Sequence, residues 1–169
     1  MNSFIFKPTT GAEVLKAAPP GTKLFLYSDL CRMGVDEALN RLDLNNIILY
    51  QDPKNMKSGH WVSLSFHPRK KKAYFFSSYG GKPDEEKNRW LSPASLSQSG
   101  QSENILNDIL KGLYLSGWEI HYNDHPFQHE GDRTATCGIW ATAFLNSKLN
   151  PDEFEEQHLP LDYYYGKYF

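Results

Sequence analysis

A cysteine beside a glycine, at the head of an apolar run with helical spacing, is an arrangement that can make a nucleophile. This chain has one in Thr136-Cys137-Gly138-Ile139-Trp140-Ala141-Thr142-Ala143-Phe144-Leu145, preceded by a polar, glycine-containing stretch from Pro126 to Ala135. The spacing predicts a helix that begins at or next to Cys137. Unpaired backbone N–H groups and the positive end of a helix dipole favour an anion there, and the thiolate is the nucleophilic form of cysteine. Such a nucleophile needs a base close in space, not in sequence. Of the six histidines, His60 stands out, in Ser58-Gly59-His60-Trp61-Val62-Ser63-Leu64-Ser65-Phe66. Glycine allows a tight approach, and the following residues alternate apolar with small polar, the pattern of a half-buried strand beginning at the histidine. A strand end is a rigid place to hold an imidazole.

The rival groups have less around them. Cys31 has no glycine partner and reads as a small buried hydrophobe. His125 competes with His60 as base but lacks the strand context. His121 falls on the polar phase with Glu119 and reads as exposed, as does His67 in the turn before Pro68. There is no C-x-x-C, H-x-x-x-H or H-E-x-x-H spacing and no phosphate-binding glycine loop, so neither a metal nor another cofactor is expected.

Gly59-His60-Trp61 at a strand start, a second strand over 73–77, and Gln128 ahead of the Cys137-Gly138 pair form an ordered set. In order and spacing, with 77 positions from His60 to Cys137, the set resembles the adenovirus-type processing proteases and the SUMO-deconjugating, ubiquitin-like-protein-specific cysteine proteases of the same superfamily. The resemblance covers roughly residues 45–147. It implies an α+β fold, a central mixed or antiparallel sheet flanked by helices, in a papain-like arrangement with the catalytic cysteine at a helix N-terminus. It also implies Cys137 as nucleophile, His60 as general base, and Gln128 as an oxyanion-hole donor together with a backbone N–H near Cys137. Trp61 packs beside the histidine in such a site, and Trp61, Tyr79 and Gly138 are the substrate-contacting candidates.

Two positions depart from the pattern. Where the resemblance places the acid that orients the histidine, seventeen residues after His60, this sequence has Ser77. A serine hydroxyl can accept a hydrogen bond from an imidazole but carries no charge to stabilise an imidazolium. Three arrangements stay open: a Cys-His dyad steadied by Ser77 or Ser78; another carboxylate, Asp84 or Asp124, folded into the site; or an impaired protein with a natural or engineered substitution. The second departure is the interval of nine positions from Gln128 to Cys137, longer than the resemblance implies, which makes His129 a rival for the oxyanion role.

The function implied is a cysteine endopeptidase acting on a polypeptide with small residues, glycine favoured, before the scissile bond. A virus-encoded polyprotein or capsid-processing protease comes first. A deconjugase acting on a ubiquitin-like protein and a catalytically impaired binding module are the alternatives.

The rest of the chain bounds these readings. Its 169 residues predict one domain, able to bury about 70% of the surface of its unfolded chain. Hydrophobic residues at 40% and aromatics at 14% exclude general disorder, and the formal net charge of −2 gives no footprint for tight nucleic-acid binding. The basic run Arg69-Lys70-Lys71-Lys72 reads as a solvated turn. Two cysteines allow at most one bridge, so reduced thiols and an intracellular setting, in a host cell or packaged in a virion, are expected of a monomer. No signal peptide and no membrane span are expected.

Residues 11–18 predict a short helix, 23–27 a strand, and Ser28 through Arg41 a helix. Residues 46–50 form a continuous apolar strand, 51–59 a loop delivering His60, and 60–66 with 73–77 an antiparallel hairpin. The Ser, Pro and Gly-rich stretch from Trp90 to Gln101 reads as a mobile loop. An amphipathic helix over 103–115, a strand over 118–122 and a helix from Asn150 through about Gln157 follow, and the aromatic tail 163–169 either docks on the core or meets a partner.

Overall fold

A computed structural model describes residues 8–128 and 136–169. The elements in order are α1 (Gly11–Ala17), β1 (Lys23–Leu26), α2 (Tyr27–Met33), α3 (Val35–Arg41), β2 (Asn45–Asp52), β3 (Asn55–His67), β4 (Lys72–Phe76), α4 (Glu85–Trp90), α5 (Pro93–Gln98), α6 (Ile105–Leu115), β5 (Glu119–Tyr122), α7 (Cys137–Ser147), α8 (Pro151–Glu156) and α9 (Leu161–Tyr168). The strands form one sheet in chain order. The inner pairs, β2 with β3 and β3 with β4, are antiparallel and joined by tight turns. The outer pairs, β1 with β2 and β4 with β5, are parallel. Parallel neighbours need a crossover, and helices supply it on each side. The fold is α+β with a mixed sheet flanked by helices.

Strand alternation distributes the core over two faces. Ile47, Leu49, Trp61, Tyr74 and Phe76 pack with α7 and with Phe154 of α8 and Tyr164 of α9. Ile48, Tyr50, Val62, Leu64 and Phe75 pack with Leu30 of α2 and with Leu106 and Ile109 of α6. β2 is buried from Asn46 to Gln51, which is why it reads as a continuous apolar run. Every residue of α7 from Gly138 to Leu145 is buried. A helix apolar all round belongs inside a core, and Phe144 stacks on Phe76 of the sheet at 4.8 Å between ring centroids.

Several local expectations are corrected. β3 begins at Asn55, not at His60, so residues 51–59 are the end of a hairpin closed at Pro53-Lys54 rather than a loop. Ladder bonds extend the strand through polar, solvent-facing residues that carry no alternation. His60 consequently lies opposite Tyr50 within the ladder. The helix expected over 28–41 is broken at Gly34, whose φ of +81° suits glycine and ends α2. The stretch from Trp90 to Gln101 contains α5. Ser92 caps it through a bond from the Ser95 N–H, and Pro93 takes the first helical position, so residues that read as breakers start a helix instead. The aromatic tail forms α9 and docks, with Tyr164 buried against Trp140 and Phe154. Among the described residues no helix is long and apolar enough to cross a membrane.

Candidate functional site

Cys137 is the first residue of α7, and no side chain caps that helix end. His60 shares the strand face of Val62 and Leu64, whereas α7 covers the opposite face, so the two residues meet around the end of the sheet rather than through it. The Trp61 N–H reaches the Cys137 sulfur at 3.5 Å. Gly59, next to His60, lets β3 lie tight against β2. Its φ is +150°, and an added Cβ would stand 1.9 Å from the Tyr50 carbonyl oxygen, beside the register shift between Gln51 and Asp52.

The electrostatics follow from these contacts. Burial alone would push the Cys137 thiol up. The His60 imidazole beside it, by contact and by charge, and the Trp61 and Gly138 N–H groups carry it below the ordinary thiol value. For His60, burial works against the charged form, but contact with Cys137 and Glu86 and their negative charges raise the imidazole to about 9. Each group therefore favours the charged state of the other. Cys31 stands in contrast, because burial pushes its thiol up to about 11. It lies in α2 with its sulfur 3.8 Å from the Glu103 carbonyl, outside the site.

The imidazole is held on its far side. Nε2 lies 2.9 Å from Ser77 Oγ and 3.3 Å from Glu86 Oε1. Nδ1 has no hydrogen-bond partner satisfied in geometry among the described residues, which makes it the nitrogen left to exchange a proton with the sulfur. Rings of Tyr79 at 4.8 Å, Trp90 at 5.4 Å and Tyr50 at 6.1 Å enclose the histidine. Ser77 lies just past β4 and is clamped by Asn123, which accepts from its N–H at 3.1 Å and donates to its carbonyl at 2.6 Å.

Gln128 is tethered through its N–H to the Ser78 carbonyl at 3.1 Å. Thr136, the residue before Cys137, donates its hydroxyl to Gln128 Oε1 at 2.7 Å. That bond orients the amide and leaves the Nε2 donor buried without a partner among the described residues. A buried donor left unpaired is costly; Gln128 is not among the residues that line the cleft over the pair. His129 lies outside the described residues.

A cleft of about 990 Å³ opens over the pair, walled by Trp61, Tyr79, Trp90 and Leu91 with Thr10 and Cys137. Two of the three substrate-contact candidates, Trp61 and Tyr79, line it. Gly138 does not. It is buried against Thr9, whose Oγ1 would lie 1.9 Å from an added Cβ, so its lack of a side chain serves the close approach of the N-terminal segment to α7.

Glu86, in the first turn of α4, was not among the sequence candidates. It sits in the charge run Asp84-Glu85-Glu86-Lys87, yet it is 0% exposed and reaches the Ser77 hydroxyl at 2.7 and 2.8 Å. The Gly80-Gly81 pair is the local signal that the chain folds back here: a Cβ on Gly81 would come within 2.4 Å of Glu86 Cγ. The carboxylates expected to fill this role lie elsewhere. Asp84 is buried but takes bonds from the Tyr27 hydroxyl and the Asn107 N–H, both at 2.7 Å. Asp124 is exposed, and His125 faces Glu155 at 3.6 Å instead of Cys137. The Ser78 hydroxyl is buried without a partner among the described residues, so it does not steady His60.

No protein-family profile and no curated protein matches this sequence. Among solved structures, the chain is similar to the central domain of the uncharacterized Lpg1148 protein from Legionella pneumophila, at 15% identity and a TM-score of 0.42, over 91% of this chain and 79% of that one.

Proposed function

We propose that this chain is a cysteine protease in a papain-like arrangement, with Cys137 as nucleophile and His60 as its base, cleaving peptide or isopeptide bonds after small residues. One observation carries the reading. A thiol at an uncapped helix N-terminus is held below its ordinary pKa by an imidazole raised to about 9, and both face one cleft. Both shifts favour a thiolate beside an imidazolium. The thiolate attacks the carbonyl carbon, and the oxyanion that forms is met by Gln128 Nε2 and the backbone N–H groups at the head of α7. Donors aimed at that oxygen lower the barrier by about 3 kcal/mol each. The C–N bond breaks as His60 gives its proton to the leaving amine. The same imidazole then takes a proton from water, whose oxygen attacks the thioester, and the acid product leaves as the thiolate returns.

The aromatic walls of the cleft, Trp61 and Trp90 above all, support small residues, glycine first, before the scissile bond. A polyprotein or capsid precursor is the substrate class put first, and a ubiquitin-like conjugate is the alternative. The binding-module reading starts from a neutral side chain at Ser77, and the buried Glu86 carboxylate beside that hydroxyl supports the catalytic reading over it.

A C-terminal Gly-Gly electrophile tests the reading in two forms, a short peptide and a ubiquitin-like protein, with labelling followed by intact mass. Labelling of Cys137 by the short peptide at a rate comparable to the protein probe is expected of a precursor-processing enzyme. Labelling by the protein probe alone would move the substrate to a deconjugase. Modification of Cys31 as fast as Cys137 would contradict the proposal.

A further inference from the structure

We propose that Glu86, reaching His60 through Ser77 and by direct contact, is the positioning acid of this site, replacing an acid at position 77 by a hydroxyl and a carboxylate brought in on α4. This inference rests on the cysteine-protease reading above and adds the residues that hold the base.

The geometry assigns the roles of the three groups. The Ser77 hydroxyl has one proton, and Glu86, when ionised, can only accept, so Ser77 donates to Glu86 at 2.7 Å. Its oxygen is then an acceptor for the His60 Nε2–H at 2.9 Å, and it also takes the Tyr79 N–H at 3.3 Å. Glu86 Oε1 is itself 3.3 Å from Nε2, close enough for its charge to act directly. The tautomer with the proton on Nε2 is thereby selected in the neutral ring, which leaves Nδ1 to take the thiol proton. The charge stabilises the imidazolium once it forms.

Glu86 is costly to bury unless this is its use. A fully buried carboxylate needs a cation and hydrogen bonds. The cation it meets among the described residues is His60, and its bonds come from Ser77 and from the Gly81 N–H at 3.1 Å. Its neighbour Lys87 turns away, to Asn88 and Asn104. The site around the carboxylate is also built to size, since Gly81 leaves no room for a side chain and Asn123 pins the Ser77 backbone on both its N–H and its carbonyl.

The test compares turnover and pH profiles of Glu86→Gln, Ser77→Ala, Ser77→Asp and the Ser77→Asp/Glu86→Gln double variant with wild type. Groups facing the imidazole are Cys137 from α7, Glu86 from α4, Tyr50 from β2 and Tyr79. Burial holds the Tyr50 phenol protonated well above its ordinary value, so an alkaline limb near 9 reports His60. Glu86→Gln is expected to lower kcat about 10²-fold and to move that limb to lower pH, because the imidazolium loses its counter-charge. Ser77→Ala, which keeps the direct contact, is expected to lose about tenfold. Ser77→Asp alone places two carboxylates together and is expected to fall below wild type, whereas the double variant restores one charge at the ring and recovers at least about tenfold over Glu86→Gln.

Wild-type turnover and pH limb in Glu86→Gln, or a gain above wild type in Ser77→Asp alone, would overturn the assignment while leaving Cys137 and His60 in place. If Glu86→Gln does not fold, the ordering of the double variant above Ser77→Asp carries the test by itself, and the reverse ordering overturns it. Absence of Cys137-dependent labelling in wild type is the separate result that would remove the protease reading.

Discussion

Cys137→Ala is expected to reduce turnover by at least about 10⁴-fold, in line with removal of a covalent nucleophile, while the chain keeps its fold. The sulfur borders the core and takes the Trp61 N–H, but the helix is anchored by other residues. Ile139, Ala143 and Phe144 hold α7 in the core, and Phe144 stacks on Phe76. The variant also relieves His60 of the partner that contributes most to its raised pKa. The imidazole is therefore expected to titrate below its wild-type value of about 9, with Glu86 still holding it up. Both effects are read from one preparation, by kcat/KM and by a histidine NMR titration. Cys31→Ala is the matched control. Its thiol lies in α2 with a raised pKa and touches none of the site residues, so its turnover is expected to match wild type.

His60→Ala is expected to damage both chemistry and stability. Loss of the base and proton carrier lowers turnover by about 10³-fold or more, and the Cys137 thiol moves upward because burial is then less opposed. Stability falls as well, since Glu86 is left buried without its cation, a loss on the order of 3–5 kcal/mol when one member of a buried pair is removed. A denaturant melt reads that loss. His60→Gln separates the two effects, because its amide N–H can still donate to Ser77. It is expected to recover part of the stability and none of the turnover.

The elements that carry the nucleophile were legible because they are strongly patterned. α7 is apolar on every side, β2 is an unbroken apolar run, and α6 has the helical period of Ile105, Leu106, Ile109 and Leu110. Cys137 and His60 could be named for the same reason, each sitting beside a glycine within a patterned element, whereas Gln128 and Trp61 entered as candidates through the resemblance alone. What could not be read was set by contacts distant in sequence. Glu86 lies nine positions past Ser77 in a run of charges, and only the backbone fold at Gly80 and Gly81 turns it inward. The start of β3 at Asn55 depends on ladder bonds to β2, which polar residues make as well as apolar ones. Thr136 gave no signal of its own, since its hydroxyl matters only once Gln128 is beside it. Gly138 shows the opposite failure. Its place in the motif suggested substrate contact, and the close packing of Thr9 gives it another use.

The thiolate–imidazolium pair is tested most directly by the pH dependence of iodoacetamide alkylation of the folded wild-type chain. The rates at Cys137 and Cys31 are followed separately by peptide mass spectrometry over about pH 5–11. Cys137 is expected to reach half its maximal rate below the ordinary thiol value, as the burial cost is outweighed by His60, while Cys31 reacts only as the pH approaches about 11. A Cys137 profile that rises together with that of Cys31, or above it, would mean that His60 does not activate the thiol, and would contradict a catalytic role for the pair.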